Sequence, residues 1–108
     1  MTFSFTHERI ADAILFNKKA EIKGLFEKLS GTSKYSQYNR LKDFGLDVKV
    51  DKNPKNMHHK VFIIDNITVI TGSFNPSLNA ENRNDENILI IHDKDIAKRY
   101  IEEFQRLF

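Results

Sequence analysis

The chain has 108 residues, 40% of them hydrophobic and 30% charged, with 17 Lys and Arg against 15 Asp and Glu for a net charge of +2. That size supports one small domain, and the near-balanced charge gives no global basic footprint for nucleic acid while leaving room for a local patch. There is no cysteine, which rules out disulfides, Cys-ligated zinc and a thiol nucleophile; the longest apolar runs, Val61–Ile64 and Ile88–Ile91, span four residues where a membrane-crossing helix needs about 20.

Met1–Phe5 reads as a short strand and runs at once into His7, Glu8 and Arg9, without the apolar stretch of a signal peptide, so a cytoplasmic location is the expectation. Thr6 is a suitable N-cap for a helix in which Ile10, Ala13, Ile14 and Leu15 recur at helical spacing up to Lys18–Lys19. Glu21–Phe26 alternates like a strand, and Ser30–Ser33 is a polar loop. Tyr35–Phe44 is helical and stopped by Gly45 at the C′ position. Leu46–Val50 is strand-like, followed by a loop over Asp51–Asn56.

Two strands come next, His58–Ile64 and Ile67–Gly72, separated by Asp65-Asn66, a pair suited to a two-residue hairpin turn. Pro76–Asp85 is a polar loop. Glu86–His92 is a strand whose apolar run predicts burial on both faces. The last helix, Asp95–Phe108, lines up Ile96, Tyr100, Phe104 and Phe108 on one stripe against the sheet. Helices alternating with strands, plus one hairpin, predict an α/β fold with a mixed sheet.

The hairpin carries the chemistry. A two-residue turn places Ile64 opposite Ile67, Lys60 opposite Thr71 and His58 opposite Ser73. Alternation puts His58 and Lys60 on one face, with Ser73 across from them and Asn75 on the same side if the strand continues past Gly72. An imidazole, an ammonium, a hydroxyl and an amide thereby converge beside apolar Phe62, Ile64, Ile67 and Val69. Cleaving a phosphodiester needs a nucleophile, positive charge or donors on the non-bridging oxygens, and a proton for the leaving oxygen. His58 suits the first role when Glu86, heading the next strand, holds its other ring nitrogen. Lys60, Asn75 and Ser73 suit the second. This arrangement requires no metal or other cofactor.

The pattern His58-x-Lys60-x4-Asp65-x6-Gly72-Ser73-x-Asn75 resembles the HKD signature of the phospholipase D superfamily. It comprises six defined residues across 18 positions, followed 11 residues later by the acid in Asn84-Asp85-Glu86-Asn87. Phe3-Ser4-Phe5-Thr6 entering a helix, and the C-terminal helix, also resemble the family, so the likeness covers essentially the whole chain as one domain, 1–108. It is closest to the small branch with one motif per chain, which includes bacterial endonucleases.

The resemblance implies an α/β/α sandwich with a mixed sheet, lacking the family's usual first strand and helix. It further implies an active site built from two facing motifs, hence a homodimer, since a twofold interface brings His58 and its mate to one phosphate. One His attacks phosphorus; the other protonates the leaving alcohol and then activates water. Lys60 and Asn75 bind phosphate, Glu86 orients His58, and Asp65 and Gly72 support the site.

The expected function is a metal-independent nuclease acting on nucleic acid, DNA ahead of RNA. A phospholipase or phosphatidyltransferase, and an inactive fragment or interaction module, are the alternatives. Bland readings remain for other residues. His59 points away from His58 and is no metal partner for it. His7 and His92 are a helix-start and a strand-end residue without a role, and Asn79–Arg83 is a solvated stretch. Tyr35 and Tyr38, beside Lys34, Arg40 and Lys42, form either a wet helix face or a patch for bases and phosphates.

Overall fold

A computed structural model describes residues 1–17 and 19–108. Met1–Phe5 contributes to the sheet through one bridging residue, Thr2, which pairs with Phe26 on one side and Lys60 on the other. Helix α1 (Glu8–Phe16) starts one residue later than expected: His7, not Thr6, is the N-cap, and its side chain makes no capping bond. The His7 ring turns instead to Glu81, with Nε2 2.8 Å from Oε2. Lys18, in the expected last turn, lies outside the described residues. Strand β1 (Lys23–Phe26) is followed by α2 (Lys28–Gly31), a single turn that overlaps the loop expected at Ser30–Ser33. Glu27, 1% exposed, caps α2 by accepting from the N–H of Leu29 (2.9 Å) and Ser30 (2.7 Å). Caps are ordinarily Ser, Thr, Asp or Asn, so the signal was easy to pass over.

Helix α3 (Tyr38–Asp43) is shorter than the expected Tyr35–Phe44. Its end is the expected one. Gly45 adopts φ 87°, and the N–H groups of Gly45 and Leu46 reach back to the carbonyls of Lys42 (2.9 Å) and Leu41 (3.2 Å). The chain then enters β2 (Asp47–Val50), which runs parallel to β1.

Strands β3 (Val61–Ile64) and β4 (Thr68–Gly72) form the hairpin. Asp65 and Asn66 take the left-handed turn, φ 53° and 58°, and the Ile67 N–H closes onto the Ile64 carbonyl at 3.1 Å. The register differs from expectation by one residue: Ile64 pairs with Thr68 and Val61 with Thr71, leaving Ile67 as the extra residue of a bulge. Burial decides this. The observed pairing sets Val61, Ile63 and Val69 on one covered face, which the tighter register would divide between two.

Pro76–Asp85 is not all loop, since α4 (Leu78–Asn82) forms there, with Ser77 Oγ accepting from the Ala80 N–H at 3.2 Å. Strand β5 (Ile88–His92) pairs only with β4. Its expected burial on both faces is overturned: Ile88, Leu89 and Ile90 are 50%, 56% and 61% exposed, because β5 is an edge strand. Helix α5 (Lys94–Leu107) begins one residue ahead of the expected start, is capped by Asp93, and packs Ala97, Tyr100, Phe104 and Leu107 against the sheet. Ile96 drops out of the expected stripe and is exposed.

Thr2 joins the two sheets into the order β2-β1-Thr2-β3-β4-β5, its N–H bonded to the Leu25 carbonyl (2.9 Å) and its carbonyl to the Glu27 N–H (3.1 Å). Met1, Leu25, Met57, Val61 and Val69 pack beneath α5. Phe5, Phe26, Leu41 and Val48 pack on the other side with α1 and α3. Leu25 and Phe26, adjacent in β1, serve opposite cores, as alternation requires. The result is the expected α/β/α layering with a mixed sheet.

Candidate active site

His58 and Lys60 lie just ahead of β3, and Lys60 is braced by its bridge to Thr2. Their side chains share one side, as predicted. The Lys60 ammonium is 3.1 Å from His58 Nδ1 and 3.2 Å from Nε2, so it rests alongside the ring edge, and it donates to the His58 carbonyl at 3.0 Å. Lys60 also lines a small recess with Phe62, Ile70, Gly72, Phe74 and Ile88, on the face away from α5. His59 points the other way, its Nε2 3.5 Å from Glu103 of α5, and burial pushes its pKa down. Among the described residues no group of three or more His, Asp or Glu is arranged to hold a metal.

A second cluster forms where β4 ends and β5 begins. Ser73 Oγ donates to Glu86 Oε2 and accepts from the Asn87 N–H at 3.0 Å. Asn84 Nδ2 donates to Glu86 Oε1 at 2.9 Å. These bonds, Ser73 first, then Asn84, with the Lys60 charge beyond them, hold the Glu86 carboxyl below the usual carboxylate range. Burial draws the Lys60 pKa down, and Glu86 partly restores it. The two clusters therefore feel each other's charge through Lys60 and Glu86.

Two expected contacts are not made. With the register shifted, the ladder continues to Lys60 opposite Gly72 and does not place His58 across from Ser73. Glu86 is occupied by Ser73 and Asn84 and forms no bond to His58. Asn75, partly exposed, has its Oδ1 enclosed without a partner, a group ready for a ligand or water. Asp65 is exposed at the hairpin tip, five residues from Lys60 or about 16 Å along a strand, far from both clusters.

Gly72, at the end of β4, lies tight against the backbone of Asn87 and Ile88. A Cβ there would stand 2.1 Å from the Asn87 carbonyl oxygen, and φ is +155°. Gly72→Ala must push Asn87, and Glu86 with it, away from Ser73. We expect a loss of roughly 2–3 kcal/mol, read as a lower denaturation midpoint, and an unchanged midpoint would contradict this packing.

Phe3, ahead of α1, belongs to neither core cluster. Its ring centroid instead lies 4.5 Å from that of His58 and 4.9 Å from the Lys60 ammonium, forming an aromatic side wall to both. No local signal marks this, because the contact depends on Thr2 pairing with Lys60.

Chemically, an imidazole next to a cation, with a hydroxyl–carboxylate pair within range of that cation's charge, suits attack on a phosphorus centre with charge on its oxygens.

Comparison with known proteins places this arrangement. All residues, 1–108, match the family model described as the PLD-like domain of cardiolipin synthase. The chain is 38% identical over 84 residues to a phospholipase D of Rickettsia felis, covering 78% of this chain and 42% of that protein. It is 33% identical over 108 residues to the mitochondrial cardiolipin hydrolase of Xenopus tropicalis, covering 98% and 51%. It thus spans about half the length of these relatives, or less. The crystal structure of Nuc, a phospholipase D family member from Salmonella typhimurium, superposes with a TM-score of 0.92 at 32% identity, over 99% of this chain and 74% of that one.

Proposed function

From the premise that this chain belongs to the phospholipase D superfamily, we propose that it cleaves phosphodiester bonds of nucleic acid, DNA ahead of RNA, in a site shared by two copies. The observation that carries the reading is the His58 imidazole beside the Lys60 ammonium, on the sheet face away from α5 where a small recess remains open. A ring nitrogen of His58 attacks phosphorus as the bond to the leaving oxygen breaks, giving a phosphohistidine. The protonated His58 of the second copy donates to that oxygen. It then takes a proton from the water that attacks the phosphohistidine, restoring both rings. Lys60 and Asn75 bind the non-bridging oxygens, Ser73 and Glu86 brace them, and Asp65 and Gly72 support the hairpin.

The second copy has a place to sit. Ile88 and Ile90 lie on the Lys60 side of the sheet, at register positions opposite Gly72 and Ile70, and both are exposed. An uncovered apolar surface beside the site favours an interface there, and a twofold contact on it would bring the two His58 groups toward one phosphate.

Relatives named phospholipase D and cardiolipin hydrolase favour a second reading, a lipid phosphodiester as substrate. No described helix is long and apolar enough to cross a membrane, and the apolar stripe of α5 is spent on the core. One assay separates the readings: single-stranded DNA and cardiolipin vesicles, each offered in EDTA. We expect DNA cleavage at a rate EDTA does not lower. Hydrolysis of cardiolipin alone would transfer the assignment to the lipid reading, and a divalent-metal requirement would remove the proposed mechanism.

A further inference from the structure

α1 and α4 hold between them a second recess, lined by His7, Arg9, Ile10, Ala13, Phe74 and Glu81 and enclosing about 330 Å³. The site as described so far makes no use of it. Its base is built: His7, 4% exposed, is held by Glu81 at 2.8 Å, and its Nδ1 is enclosed without a partner. The N–H groups of Thr6 and His7 both donate to the Pro76 carbonyl, at 2.8 and 2.9 Å, which fixes the loop that carries Asn75. Ile10 and Ala13 add an apolar floor.

Two features point to a ligand. Arg9 is exposed at the rim and, like Arg83 and Arg99, makes no ion pair among the described residues, but of these three it alone lines the recess. Phe74 lines this recess and the Lys60 recess as well, so a single aromatic ring divides them. Its chain neighbours are Ser73 and Asn75. A strand whose phosphate is held at Lys60 and that runs toward α1 carries its next nucleotide past that ring.

We propose that this recess binds the nucleotide flanking the cleaved phosphate, with its base against Phe74 and its own phosphate on Arg9. The inference rests on the nucleic-acid reading given above. An aromatic face accepts any base, so the subsite adds affinity without sequence preference, and a single arginine adds a salt-dependent phosphate contact. Glu81 is held at the base of the recess by His7, while Arg9 stands at its rim.

The test compares Arg9→Ala with the unaltered protein on a single-stranded oligonucleotide and on bis(p-nitrophenyl) phosphate, a diester with no flanking nucleotide. On the oligonucleotide, kcat/KM should fall about tenfold, mainly through KM, and the log–log salt slope should flatten by about one. Turnover of the small diester should not change, and Arg9→Lys should recover most of the loss. An unaffected oligonucleotide rate, or an equal loss on both substrates, overturns the subsite. If the unaltered protein hydrolyses the small diester and never DNA, the nucleic-acid reading fails and takes the subsite with it.

Discussion

His58→Ala is expected to lower turnover by on the order of 10⁴-fold or more, in protein that keeps its fold. The ring is exposed and contributes to neither core, so its removal leaves no cavity and strands no buried partner. The catalytic loss is large because one substitution acts twice. In a site made by two copies, the same change deletes the nucleophile of one and the proton donor of the other. Mixing the variant with unaltered protein should restore nothing in the mixed pairs, since each role needs an imidazole. Trapping a labelled phosphate on the unaltered protein and mapping it to His58 is the direct check. Activity retained by the alanine variant would remove this residue from the mechanism.

Ile90→Asp is expected to convert the protein to a monomer and to abolish cleavage with it. Ile90 is 61% exposed and does not line the Lys60 recess, so the carboxylate disturbs neither the core nor the site directly. In a closed apolar interface it would be desolvated and would face its own symmetry mate, two penalties that add. Mass in solution and activity, measured over one concentration series, should fall together. A monomer with full activity would sink the shared-site proposal, and an intact dimer would move the interface elsewhere.

Local geometry was legible in the sequence. Alternation alone told His58 and Lys60 from His59, Gly45 announced the end of α3, and Asp65-Asn66 announced the turn. Each depends on residues within a few positions of one another. What was missed depends on distant partners. Ile67 is the extra residue in the hairpin because α5 covers Val61, Ile63 and Val69, and nothing in Ile67 itself says so. The apolar run of β5 resembles an interior strand, but burial belongs to whatever lies alongside, and on the outer edge of β5 nothing does. Glu27 as a cap and Glu81 as the partner of His7, 74 residues away, are tertiary choices for residues that could equally be solvated. The motif paired Glu86 with His58, whereas its carboxylate is taken by Ser73 and Asn84, with the Lys60 charge in range.

Thr2 has a consequence for how the molecule assembles. The sheet becomes continuous only when Met1 and Val61, 60 residues apart, are hydrogen-bonded to each other. Closing a flexible loop of that length costs roughly 4 kcal/mol in chain entropy, whereas the β3–β4 hairpin closes over a few residues at little cost. The parallel β1–β2 pair and the hairpin sheet are therefore expected to form ahead of the seam that joins them. Lys60 sits on that seam, so its side chain is expected to reach its place beside His58 only as the seam closes.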